Sequence, residues 1–168
     1  TCHKYSCMTK EKILFICLGN ICRSPMAETV MNKLLEEKGL SDKYEIDSAG
    51  LDNYHEGEKA DRRMRSHACF RGYDITHISR PMTDNDWYSF DRIICMDEQN
   101  RRTLERRAPS LEFTKKIELI TDYCRKYSYA SCVPDPYYGG DQGFENVIDL
   151  LEDACEGILS VAEKSTTA

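Results

Sequence analysis

Cys17, Leu18, Gly19, Asn20, Ile21, Cys22 and Arg23 set a thiol and a guanidinium at the two ends of a short segment, with Ser24 and Pro25 directly after. That spacing suits the handling of a phosphate. A loop between a strand end and a helix start turns successive backbone N–H groups inward, where they form a nest for an anion. Gly19 and Asn20 tolerate the left-handed backbone that such a nest requires. Arg23 offers a planar fork matched to two phosphate oxygens. The same donors and the helix dipole stabilise a thiolate at Cys17, to which Ser24 can donate a hydrogen bond. Pro25 suits a first helical turn. The resulting chemistry is attack by sulfur on a phosphate ester held in the nest. Cys95 and Arg101 repeat the spacing, but the residues between them contain no glycine and include Asp97 and Glu98, so an anion there meets like charge. Context selects the first copy.

Breaking a phosphate ester also needs a proton for the departing oxygen. Asp135-Pro136-Tyr137-Tyr138-Gly139-Gly140 lies in a Pro- and Gly-rich stretch ahead of the last helical pattern. A carboxyl beside a rigid proline and two aromatic rings, partly withdrawn from water, is a candidate donor. The competing reading is a surface turn made of the residues that turns contain. Consecutive tyrosines favour a binding surface. Arg62, Arg63 and Arg65 share one helical stretch and read as a solvated face, whereas Met64, Cys69 and Phe70 read as core.

The elements that must position these groups alternate along the chain. Residues 12–17 (KILFIC) are a short apolar run and read as a buried strand, and 44–48, 91–96 (DRIICM) and 116–120 read as three more strands. A helix from Pro25 puts Met26, Ala27, Val30, Met31, Leu34 and Leu35 on one stripe and ends at Gly39. Further helical patterns cover 60–71 and 97–107, the latter stopped by Pro109. The last helix carries Phe144, Val147, Ile148, Leu151, Cys155, Ile158 and Leu159 at helical spacing. This alternation predicts a single α/β domain of three layers, a four-stranded parallel sheet with helices on both faces, doubly wound and flavodoxin-like. Ligands of such sheets sit beyond the carboxyl ends of the strands, in the loops after Cys17, Ser48, Met96 and Ile120.

The 168 residues suit one domain. A net charge of −6 argues against nucleic-acid binding through overall basic charge, and the longest apolar run, 13–18, is too short to span a bilayer. Nine cysteines cannot all pair, and no Cys-x-x-Cys occurs. Four scattered histidines give no zinc-ligand spacing. Reduced thiols, mostly packed as small core residues, are the expectation. Residues 1–11 show no periodicity and read as a disordered N-terminal extension or a cloning remnant, with Met8 an alternative start.

Taken together, CLGNICRSP leading into an amphipathic helix and DPYYG ahead of the last one resemble the low-molecular-weight protein tyrosine phosphatases. The resemblance runs from residue 12 to about 162 and takes in Asp47-Ser48-Ala49-Gly50, His77 with Arg80, and Ile94-Cys95-Met96-Asp97. The DPYYGG form and DLLEDACEGIL lean toward bacterial members. It implies a phosphatase domain over 12–165 that hydrolyses phosphotyrosine and aryl phosphates without metal or cofactor. Cys17 would form a phosphocysteine intermediate. Arg23 would bind substrate and stabilise the transferring phosphoryl group, and Asp135 would act as acid in the first step and as base toward water in the second. Leu18, Gly19, Asn20, Ile21 and Cys22 would form the phosphate-binding loop, held in shape by Ser24, Ser48 and His77. Tyr54, Tyr137 and Tyr138 would wall a cleft for a phenyl phosphate. His55, beside Tyr54, lies where the family varies and implies no substrate preference. The implied partners are a phosphotyrosine protein, a tyrosine kinase among the candidates, and inorganic phosphate as product, in the cytoplasm and with neither nucleic acid nor membrane. Two alternatives stand beside this. Arsenate reductases share the fold and a similar first loop, but resolve a disulfide with further cysteines; Cys95 sits near where one would be expected, and no second follows closely, the next being Cys124. A non-catalytic phosphopeptide-binding module would require loss of nucleophile or acid, and both are present.

Overall fold

The computed structural model describes residues 9–167, so most of the expected extension over 1–11 lies outside the described residues. Strand β1 (Glu11–Cys17) turns Ile13, Phe15 and Cys17 to one core and Leu14 and Ile16 to the other, as the two-residue period of a strand dictates. All five are buried, which is why the run reads as continuously apolar. Its neighbours are β2 (Tyr44–Gly50) on one side and β3 (Arg92–Cys95) on the other, with β4 (Ile117–Leu119) beyond β3. Every pairing is parallel, and Cys17 lies opposite Gly50 while Ile16 lies opposite Cys95. The chain order therefore reverses at β1, and the crevice beyond its carboxyl end is the ligand position of a doubly wound sheet. Cys17 is the residue that ends β1.

Helices α1 (Arg23–Glu37), α2 (Arg62–Phe70) and α6 (Asp141–Thr167) cover the Phe15 face, burying Val30, Met31, Leu35, Met64, Ala68, Phe144 and Leu151. The Leu14 face is covered by α3 (Asp84–Ser89), α4 (Glu98–Arg107) and α5 (Leu111–Thr114), with Trp87, Phe90 and Leu104 at its centre. The single-domain, three-layer parallel architecture is as the alternation predicts.

Several details differ. α3, α5 and a 3-10 turn at Ile120–Tyr123 are too short to give a periodic signal. β2 runs past Ser48 because Ala49 and Gly50 still pair with Ile16 and Cys17. Glu11 already belongs to β1, and α6 continues to Thr167. Cys69 and Phe70 are exposed, not core: Met64 and Ala68, four residues apart, make the buried stripe of α2 and leave the last turn's other face to water. All seven cysteines among the described residues carry free thiols. No helix among them is long and apolar enough to cross a membrane.

Candidate active site

Cys17 is buried, and the chain after it folds back around its sulfur. The Asn20 N–H donates to Sγ at 3.3 Å, and Ser24 Oγ lies 2.9 Å from Sγ. α1 begins at Arg23, and no side chain caps its first turn, so the amides there are not spent on a side-chain cap. Asn20 takes the left-handed backbone, φ 57°, the single non-glycine to do so among the described residues. Gly19 does not, contrary to expectation; it is small because a Cβ there would meet the His55 ring at 3.2 Å. Gly50 is small for a similar reason, with Leu18 O and the Asn20 side chain 3.0 and 3.1 Å from where its Cβ would sit.

The left-handed turn is held by the Asn20 side chain, which is buried. Its Nδ2 donates to Ser24 Oγ (2.8 Å) and Ser48 Oγ (3.1 Å), while its Oδ1 accepts from His77 Nε2 (2.8 Å) and the Arg80 N–H (3.0 Å). Ser48 in turn donates to Glu28 Oε1 at 2.7 Å, and His77 Nδ1 lies 3.0 Å from Glu28 and 3.5 Å from Asp47. Glu28, Asp47 and His77 are the group of ligand-bearing side chains that gathers among the described residues. Their hydrogen bonds assign them to the support of the loop.

Arg23 is buried too, and its aim is set by three oxygens. Nη1 donates to Asp97 Oδ2 at 2.7 Å and to the Val133 carbonyl at 3.1 Å; Nη2 lies 3.6 Å from Asp135 Oδ2. Burial works against its charge, but Cys17, Asp97 and Asp135 outweigh it and keep the guanidinium protonated. Asp135 is only partly withdrawn from water: its side chain is 44% exposed, and the buried residue of that loop is Pro136. Cys17, Arg23 and Asp135 open onto one cavity of about 320 Å³, lined also by Leu18, Ile21, Asp52, Tyr54, His55, Tyr137 and Tyr138. Tyr54 and His55 meet edge to face at 4.8 Å, His55 lies 6.2 Å from Tyr137, and Tyr137 meets Tyr138 at 4.9 Å, so aromatic rings frame the mouth.

The model of the low molecular weight phosphotyrosine protein phosphatases matches residues 12–167. The chain belongs to that family. A low molecular weight phosphotyrosine protein phosphatase of Homo sapiens is 39% identical over 153 residues, 90% of this chain and 96% of its own. Bacterial relatives match as well, a low molecular weight protein-tyrosine-phosphatase of Streptomyces coelicolor at 38% over 155 residues, 91% of this chain and 94% of that protein. Among solved structures, a protein tyrosine phosphatase of Entamoeba histolytica with Hepes in the active site superposes with a TM-score of 0.89 at 47% identity, covering 94% of this chain and 99% of its own.

In this phosphatase the structure brings Cys17, Leu18, Gly19, Ile21, Cys22, Arg23, Asp135 and all three tyrosines to one cavity, with Ser24, Ser48 and His77 around Asn20 behind it. Sequence reasoning missed Glu28 and Asp52, and gave no role to Asp97, Asp47 or Arg80, although all three fall in stretches that carry the resemblance. In the sequence Asp97 offers a reason to discard the Cys95 copy of the spacing and closes the resembling stretch Ile94-Cys95-Met96-Asp97, with no role attached. It is in fact the partner of Arg23, and its other oxygen caps α4 through the Asn100 N–H at 2.7 Å. The signal was its position after β3, in a loop already marked for inspection. Cys95 is buried against the Glu118 carbonyl, and burial pushes its thiol up to about 12.

Proposed function

We propose that the phosphatase works through Cys17, Arg23 and Asp135, and that its physiological substrate is a phosphotyrosine protein of the cytoplasm, with a tyrosine kinase as a candidate. The observation that carries this reading is the convergence of a buried Cys17 sulfur, the oriented Arg23 fork and the Asp135 carboxyl on one aromatic-rimmed cavity. With a phosphomonoester seated in the loop, the sulfur attacks phosphorus, and the S–P bond forms as the P–O bond to the phenol breaks. Asp135 delivers its proton to the departing oxygen. Arg23 and the loop amides hold the equatorial oxygens, where the transferring group carries its charge. Water, relieved of a proton by the Asp135 carboxylate, then releases inorganic phosphate and restores Cys17. Ser24 Oγ, close to Sγ, stabilises the sulfur as it becomes the leaving group. The exposure of Asp135 suits both halves, since the group must meet the leaving oxygen and then solvent.

A reductase reading finds little support, because Cys95 is buried and raised, and Cys124 belongs to the core beneath the 3-10 turn. Hydrolysis of p-nitrophenyl phosphate and a phosphotyrosyl peptide with chelator present tests the assignment. Cys17→Ser and Arg23→Ala should abolish turnover, while Cys95→Ser and Arg101→Ala should leave most of it. Loss confined to the second pair would overturn it. Asp135→Asn should slow phenol release from phosphotyrosine by roughly 10²–10⁴-fold, with a smaller penalty for p-nitrophenolate, which departs without much help. An equal penalty for both would mean that Asp135 shapes the loop and transfers no proton.

A further inference from the structure

The proton donor sits on an exposed loop, yet a donor is useful only when its carboxyl is held within hydrogen-bond reach of the leaving oxygen. On one side Arg23 and the Met96 carbonyl fix the chain at Val133, and on the other the contacts come from α2 and its cap. Arg63 Nη2 donates to the Tyr137 carbonyl at 2.8 Å, and its guanidinium carbon lies 5.4 Å from the Tyr137 ring centre and 4.9 Å from that of Phe144. The guanidinium is fixed from the other side by Asp61, whose two oxygens accept from Nε and Nη2 at 3.2 and 3.1 Å. Asp61 is itself pinned as the cap of α2, accepting from the Arg63 and Met64 amides. Tyr137 passes the constraint on: its N–H donates to Asp135 Oδ1 at 3.0 Å. One residue is thus gripped at its carbonyl by Arg63 and at its amide by Asp135. With Oδ1 so engaged, Oδ2 is the oxygen turned toward Arg23, 3.6 Å away. Arg63 does not line the cavity. The arginine cluster of α2 is therefore not simply a solvated face.

We infer that Arg63, through Tyr137, is the positioning residue that holds the Asp135 carboxyl at the site of proton transfer. The inference rests on the reading of Asp135 as the donor. It requires the planar fork of an arginine, since one side chain must serve a carboxylate, a carbonyl and two ring faces at once.

Single-turnover phenol release, measured by rapid quench with phosphotyrosine and with p-nitrophenyl phosphate, tests this in the full chain. Arg63→Ala should slow release from phosphotyrosine about ten- to a hundredfold, the worth of one charge-assisted hydrogen bond, and slow p-nitrophenolate release much less. Inhibition by inorganic phosphate should be unchanged, because the loop that binds it is not touched. Arg63→Lys should recover part of the rate, since it keeps a charged donor for the Tyr137 carbonyl. In an Asp135→Asn background, Arg63→Ala should cost nothing further. Independent, multiplying losses in the double variant, or an equal loss for both leaving groups from Arg63→Ala, would overturn the inference provided Asp135→Asn alone discriminates between them. If Asp135→Asn alone fails to discriminate, it is the donor reading that falls.

Discussion

Asn20→Ala should be among the most damaging single changes to the fold of the loop, and its size can be worked from the geometry. The substitution deletes four hydrogen bonds made by one buried side chain, to Ser24, Ser48, His77 and the Arg80 amide. At about 1 kcal/mol net for each, that is about 4 kcal/mol. Ser24 keeps Cys17, and Ser48 and His77 keep Glu28, so those three partners are not stranded. Alanine at φ 57° adds about 1 kcal/mol of backbone cost. Asn20→Gly removes the same bonds but accepts the left-handed backbone, so it should be the more stable variant by about 1 kcal/mol. Urea unfolding followed by tryptophan fluorescence, with equal slopes required for comparison, measures both. Turnover should fall in both variants, since the Asn20 amide that faces the sulfur is no longer held. If Asn20→Gly were the less stable of the two, or if both lay within about 1 kcal/mol of the parent, the network would not be what holds the loop.

Peroxide should inactivate the phosphatase reversibly by converting Cys17 to a sulfenic acid that Cys22 attacks, forming the disulfide and releasing water. Burial first, and then the Asp61 carboxylate, push the Cys22 thiol well up, so ring closure should accelerate as pH rises; peptide mapping that finds only Cys17 sulfinic acid at every pH would refute this. Burial raises the Asp153 carboxylate, but the amides of Tyr127, Lys126 and Arg125 outweigh it and hold it below its ordinary range. Its contribution is therefore complete above the unfolded value near 4 and is lost as pH falls through the lower folded value, so Asp153→Asn should flatten the acid limb of stability against pH. Gly157→Ala should lower the melting temperature, at a cost of about 1–3 kcal/mol, because a Cβ there runs into the Tyr123 carbonyl; an unchanged Tm would show that α6 shifts freely.

The sheet was legible because β1 and β3 are buried on both faces and carry little but apolar residues, and because α1 and α6 are long enough to show their stripes. The short α3 and α5 had no such signal. Cys17 and Arg23 were legible as a local motif, since one loop contains both. Asp135 was legible from its neighbours as a candidate proton donor with a surface turn as the competing reading, and the resemblance decided between the two. The pairings of Asp97 and Arg63 could not be read from spacing. Each reaches its partner across 74 residues of chain, so no spacing announces the pairing, and the residues near them in sequence pointed elsewhere. Gly19 shows a subtler failure: its presence was anticipated for backbone freedom, whereas the structure uses its missing side chain to seat His55.

The central claim is that phosphorus passes through the sulfur of Cys17. Rapid acid quenching during turnover of a labelled phosphotyrosyl peptide, followed by digestion and fragment sequencing, reads it directly. The account predicts phosphate bound to Cys17, accumulating when water attack is slowed in Asp135→Asn and absent in Cys17→Ser. Phosphate on Cys22, Cys95 or any other residue, or full turnover with no phosphoenzyme in the wild type or in Asp135→Asn, would contradict it.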